Sequence, residues 1–205
     1  MQDVAGVMEH GLRDQVSGQC PKIDTYGAGL RYEWGMGMTE READGTTTTY
    51  FEVSVAGDHV ERLMRELFGE HWAHITAGPI VEGSAWEIRF ASAPKLSMLD
   101  GYLTVDPGSW HFHLCVNDHH GAPNPELARV RRVARAAFFH TEGGSCAPAS
   151  WGLRLWNGRG EQMITVLFPN PHFDDEFRRL PEPRWERTAL WEDLRRRYAT
   201  PATDR

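Results

Sequence analysis

Lysine is nearly missing from this sequence, with two residues against twenty arginines. That imbalance points to no function by itself. Positive charge is short overall: 22 Lys and Arg face 29 Asp and Glu, a formal net charge of -7. Broad nucleic-acid binding needs a positive surface, so nucleic acid is not an expected partner. No apolar run approaches the ~18 residues of a membrane-spanning helix, so no membrane span is expected. The opening MQDVAGVMEHGLRDQ has no basic segment followed by an apolar core and does not read as a secretory signal. Cysteine is scarce. Cys20, Cys115 and Cys146 are too few and too scattered for a disulfide framework, and a reducing cytoplasm is the expected compartment. No Walker-type phosphate loop and no nucleophile elbow occurs.

What is present is an ordinary globular composition, 40% hydrophobic and 25% charged over 205 residues. One stretch carries chemistry: Trp110-His111-Phe112-His113-Leu114-Cys115-Val116. Read as a strand, it sends alternate side chains to opposite faces. Phe112, Leu114 and Val116 then suit a core, while His111, His113 and Cys115 share the other face. Two imidazoles and a thiol aligned by the pleat are metal-ligand types. Residues two apart place their side-chain bases about 6.5–7 Å apart, which two imidazoles can close onto one ion. Cys115 lies twice as far from His111 and ranks below the two histidines. Two other readings stand beside this one: acid–base groups in a metal-free pocket, and strand histidines satisfied by neighbours with a buried, inert cysteine. The Phe-His strand resembles the histidine-x-histidine strand of alpha-type carbonic anhydrases over a few residues. No other block of that family is present, and the resemblance carries no activity over.

Taken in order, residues 1–20 space Val4, Val7, Met8, Leu12 and Val16 as a short amphipathic helix. A polar loop follows. Residues 50–55 alternate as a strand. Asp58 and Glu61 form a capping-box pattern ahead of a helix with Val60, Leu63, Met64, Leu67 and Phe68 on its buried stripe. Residues 85–90 and 98–105 read as strands. The turn signal Asp106-Pro107-Gly108-Ser109 returns the chain into the histidine strand. Closing that hairpin between Val105 and Trp110 sets Thr104 opposite His111, Tyr102 opposite His113 and Asp100 opposite Cys115. Asn124 and Pro125 start a second helix with Leu127, Val130, Val133, Ala134, Ala137 and Phe138 buried. Arg129, Arg132 and Arg135 are then expected to face solvent. Strands at 150–157 and 161–168 and a helix at 185–198 complete the chain.

This order predicts an α+β fold, a ferredoxin-like sandwich with a largely antiparallel sheet, helices on one face and a polar, pocket-forming opposite face. The expected parts are an N-terminal helix and polar loop at 1–49, an α+β core carrying the site at 50–170, and a C-terminal extension and helix at 171–205. The polar face would present Glu52, Glu87, Arg89, Asp100, Tyr102, Thr104, His111, His113, Cys115 and Arg154. The functional expectation is a metal-dependent enzyme acting on a small polar or acidic molecule. His111, His113 and Cys115 would hold one zinc, iron or copper ion, with His140 as a further ligand from the 140–146 region. Asp100, Tyr102, Glu87 and Cys115 would serve in catalysis; Arg89, Arg154 and Trp156 would bind substrate. The alternative is a non-catalytic metal- or haem-binding protein or small-molecule sensor. A homodimer through the open sheet face is a further expectation.

Overall fold

The computed structural model describes residues 37–200 apart from Glu82, Ser145 and Cys146. The expected helix within residues 1–20, Cys20 and Cys146 lie outside the described residues. The element order is β1 (Met38–Arg41), β2 (Thr47–Val53), α1 (His59–Glu70), β3 (Thr76–Gly78), β4 (Ile80–Val81), β5 (Ser84–Ala85), β6 (Ile88–Arg89), β7 (Lys95–Leu99), β8 (Tyr102–Asp106), β9 (Phe112–Cys115), α2 (Pro125–Arg131), β10 (Val133–Glu142), β11 (Ala149–Asn157), β12 (Gln162–Leu167) and α3 (Ala189–Tyr198). A seven-stranded sheet runs β1-β2-β10-β11-β12-β3-β6, and a separate three-stranded sheet runs β7-β8-β9. Every neighbouring pair in both is antiparallel. Among the described residues no helix is long and apolar enough to cross a membrane.

The ferredoxin-like expectation is wrong, and one element accounts for it. The second helix stops at Arg131. Asn124 caps it as expected, its Oδ1 accepting from the Leu127 amide at 2.8 Å with Pro125 in the first turn. Arg132 then turns extended (φ -66, ψ 147), and residues read as the rest of the helical stripe become β10, which lies between β2 and β11. Ala136, Ala137, Phe138 and Phe139 are all buried, so both faces of this strand are shut from water. A strand buried on both faces reads as a continuous apolar run, and such a run fits a helical spacing equally well. A two-layer βαβ–βαβ arrangement has no place for a central strand there.

The inner face of the large sheet carries Phe51, Val53, Ala136, Phe138, Leu153, Leu155, Ile164 and Val166. α1 buries Val60, Leu63, Met64, Leu67 and Phe68, the predicted stripe, in the same core. The capping box does not form. Asp58 makes no side-chain cap and pairs with exposed Arg62 at 3.4 Å, while Glu61 pairs with Arg65 at 2.7 Å. α3 adds Trp191, which is 0% exposed. Its rings meet Phe51 and Phe138 at 5.8 and 6.3 Å, and its indole N–H donates to the Gly152 carbonyl at 3.0 Å. Glu66 of α1 ties the two helices, accepting from the Arg197 guanidinium and from the Tyr198 phenol at 2.6 Å. On the sheet's other side, a Cβ on Gly152 would meet the Phe139 ring at 2.2 Å, so only glycine lets that ring lie flat on β11.

The three-stranded sheet packs Leu103, Val105, Leu114 and half-buried Phe112 onto the same core. An aromatic contact on it comes from α1, with Phe68 and Phe112 rings 5.5 Å apart. Residues 98–105 are not one strand: the chain reverses at Asp100 (φ 46) and Gly101 (φ 84), an Asp-Gly pair suited to a tight hairpin turn. β8 and β9 then pair Thr104 with His113 and Tyr102 with Cys115. The register differs from the expected one by two residues, a full pleat repeat, so each side chain keeps its face.

The far end of the large sheet closes over an indole. Trp151 lies between two imidazoles, His140 at 4.7 Å and His172 at 6.4 Å between ring centroids, with Trp185 edge-on at 6.3 Å. Burial holds both imidazoles below the ordinary histidine range; Arg179 adds to this at His172, and Glu142 opposes it at His140. His172 precedes a polar turn held by Asp174, and is itself buried.

Two outcomes are expected from this packing. Trp191→Ala should cost about 3–5 kcal/mol and Gly152→Ala about 1–3 kcal/mol in denaturant unfolding. Because His140 and His172 are depressed in the folded chain, the unfolded chain takes up protons first. Their contribution is therefore complete above the unfolded imidazole pKa of about 6.5 and is lost as pH falls below it. His172→Gln should lower the melting temperature at pH 8 yet flatten its fall between pH 7 and 5.5; an unchanged slope would show that His172 does not titrate in this way.

Candidate functional site

The expected single polar floor is two surfaces. Tyr102, Thr104, His111, His113 and Cys115 belong to the three-stranded sheet and the turn into it; Glu52, Arg154 and Trp156 belong to the outer face of the seven-stranded sheet. Arg89 sits on the edge strand β6, where its guanidinium lies 4.0 Å from the Phe177 ring and donates to the Asp175 carbonyl. Glu87 is exposed just before that strand. No single pocket is made by all of them.

His111 and His113 do come together. Both are exposed, and their ring centroids are 5.0 Å apart. His113 Nδ1 lies 2.8 Å from Thr104 Oγ1, its cross-strand partner. With Nδ1–H donating to that hydroxyl, Nε2 presents its lone pair outward, the arrangement found behind metal-bound histidines. Exposed Leu99 and Ser97 share this outer face with them.

Cys115 does not join the pair. It is 2% exposed, and its thiol donates to the Asn117 carbonyl at 3.5 Å. Burial pushes the thiol upward, against a hydrogen bond with the Tyr102 phenol. The chain after β9 folds back over it. His119 packs edge-on against Tyr102 at 5.0 Å and lies 3.4 Å from Asp100 and 3.3 Å from Arg131. Asp100 accepts from the backbone amides of Gly121 at 2.9 Å and His120 at 2.8 Å, which hold its carboxyl below the usual carboxylate range. Asp100 therefore fastens a loop, and burial raises Tyr102 further from use as a base.

Among the described residues no third donor joins the histidine pair. His140 lies on β10 against Trp151, in the other sheet. Among the described residues, one trio of donor-type side chains comes within 4.8 Å, namely Glu66, Glu70 and His71. Glu66 there already accepts from Arg197 and Tyr198, so a cation would have to displace a guanidinium. A cleft of about 590 Å³ opens between the start of α1 and the Asp100 turn, edged by Asp58, Asp118, His120 and Arg132. Its one arginine is spent on Asp118 and on the Val55 carbonyl.

The second surface was only partly foreseen. Arg129 is exposed as expected, but Arg135 is not a solvated helix residue. As part of β10 it reaches the outer face of the sheet, donating to Glu52 Oε1 at 2.9 and 2.7 Å and lying over the Trp156 and Tyr50 rings at 4.4 and 4.8 Å. Arg154 lies beside it over the Phe139 ring at 4.7 Å and donates to the Tyr50 phenol at 2.9 Å. Tyr50 in turn donates to Glu42, and burial pushes its phenol up to about 12. The Tyr-x-Glu alternation in β2 is the signal that would have found this cluster.

Solved structures of similar chain trace include a protein of Agrobacterium tumefaciens, with a TM-score of 0.48 at 14% identity over 73% of this chain and 71% of that one. The haem-binding protein ChuX is similar with a TM-score of 0.45 at 12% identity over 75% and 78%. A protein from Erwinia carotovora is similar with a TM-score of 0.46 at 13% identity over 71% and 76%. Likeness at this level leaves the chemistry to this chain's own residues. No curated protein matches the sequence. The model of a family of unknown function, DUF7676, matches residues 37–200, and the chain belongs to that family.

Proposed function

We propose that this protein is a non-catalytic binder of a small molecule, that the molecule is a metal chelate of the haem type, and that His113 would meet its metal with His111 beside it. The observation that carries the reading is the side-by-side imidazole pair without a third donor among the described residues. A bare zinc, iron or copper ion needs three or four protein ligands to be held firmly. A metal that arrives already chelated would need only one imidazole from the protein. The hydroxyl of Thr104 orients His113 for that role, and exposed Leu99 gives the same face apolar surface for a flat macrocycle. Haem binding is what one of the structural relatives does by its own name; for this chain the case rests on the two imidazoles.

The same geometry speaks against the metal-dependent enzyme. Cys115 is buried, Asp100 is held by two amides, and Glu87, Arg89, Arg154 and Trp156 lie off the histidine face.

Titration of the full chain with hemin, read in the Soret region, tests the reading. Saturable one-to-one binding is expected, with the spectrum of an imidazole-ligated iron. His113→Ala should abolish that spectrum and His111→Ala weaken binding. Thr104→Val should lower affinity by about tenfold through loss of the orienting hydrogen bond. Stoichiometric zinc without hemin binding, lost in the double histidine variant, would overturn the proposal and restore a metal-ion site.

A further inference from the structure

We propose that Lys95 takes a carboxylate on the rim of the chelate, so that the ligand of the small sheet is an anionic one, laid with its acidic edge toward Lys95 and its hydrocarbon edge toward Leu99. The inference rests on the reading of the histidine pair given above and adds the ligand's charge and its direction on the sheet.

The three-stranded sheet sets out its outer side chains in rows. In β7, Leu96 and Met98 turn to the core, so Lys95, Ser97 and Leu99 face outward, and all three are exposed. The register places Ser97 beside Thr104 and Thr104 beside His113. Ser97 and His113 therefore share a row, two strands apart, about 10 Å at the usual strand spacing. Lys95 lies one pleat repeat to one side of that row, opposite Asp106 and toward His111; Leu99 lies one repeat to the other side, opposite Tyr102. The two ends are about 13 Å apart along the strand. The face thus runs from a cation to bare hydrocarbon, Leu99 being 77% exposed, with His113 level with its middle. A haem-type macrocycle has the same asymmetry. Its carboxylates hang from one edge, and the opposite edge is hydrocarbon.

Lys95 is the one lysine among the described residues, and none of their carboxylates forms an ion pair with it. Its cross-strand neighbour Asp106 accepts from the Gly108 amide at 2.8 Å. An ammonium on a flexible four-carbon stem can follow a carboxylate on a short arm, where the fixed fork of an arginine demands one geometry. Lys95, His111 and His113 all stand in solvent, so a ligand reaches them without any opening of the fold.

Hemin and hemin dimethyl ester, titrated into the full chain in the same water–dimethyl sulfoxide mixture, test this. The quantity read is the ratio of their affinities, in which effects of the ester common to all variants cancel. Lys95→Met should lower the preference for hemin about fivefold at low salt, the upper end for an exposed ion pair, and high salt should shrink the difference. Lys95→Arg should keep most of the preference. Arg129→Met, which removes an exposed cation on α2, should leave it unchanged. Should Lys95→Met fail to fold, Lys95→Gln carries the same comparison. The proposal is overturned if the ratio in the Lys95 variant equals that of the wild type, or if Arg129→Met lowers it equally. Hemin that binds with an imidazole spectrum lost in His113→Ala, at a ratio Lys95 does not affect, refutes the role of Lys95 alone. Hemin that gives no such spectrum refutes the haem reading and this inference with it.

Discussion

Burial of β10 on both faces is the constraint on which the rest of the structure depends. Phe138 closes the inner side with Trp191, and Phe139 closes the outer side against Gly152 and Tyr50. A strand shut on both faces has nowhere to place an unpaired amide or carbonyl, so it demands hydrogen-bonded neighbours along its length. β2 and β11 supply them in long antiparallel register, from Ala136 to Glu142 on one side and from Arg135 to Glu142 on the other. The remaining strands extend the sheet outward from this centre.

The same constraint separates the chemistry into two places. With β10 filling the centre of the large sheet, the hairpin bearing His111 and His113 packs as a sheet of its own, and α1 joins the core of both. Residues that a two-layer sandwich would gather into one pocket floor are divided between an imidazole pair on the small sheet and an arginine–aromatic array on the large one. The division also explains the fate of Cys115. It lies on the same side of the pleat as His113, yet the return loop through His119 and Gly121, fastened by Asp100, covers it and leaves the histidines outside.

Charge follows the same logic of nearness rather than number. Most charged groups of the described chain are matched locally, as Arg197 is by Glu66 and Asp193, Arg187 by Asp175, and Arg135 by Glu52. Several of these pairs tie element to element. The two imidazoles on the small sheet and the Arg154 guanidinium, held by a phenol and a ring, carry no such ion pair.

Much of the local structure was legible in the sequence. The α1 stripe, the Asn124-Pro125 cap, the β11–β12 hairpin and the outward placement of His111 and His113 follow from spacing and turn chemistry, which act between residues near in the chain. The identity of β10 was not legible. Val133 to Phe138 fits a helical stripe and a doubly buried strand equally well, and only the presence of β2 and β11 on its flanks decides between them. Once it is a strand, Arg135 moves from a solvated helix to a sheet face, and the ferredoxin-like topology fails. The register of β8 against β9, the burial of Cys115, the contact of His140 with Trp151 and the place of Arg154 over Phe139 are likewise decisions of tertiary structure. Each depends on partners many residues away in the chain, and no local periodicity encodes a neighbour of that kind.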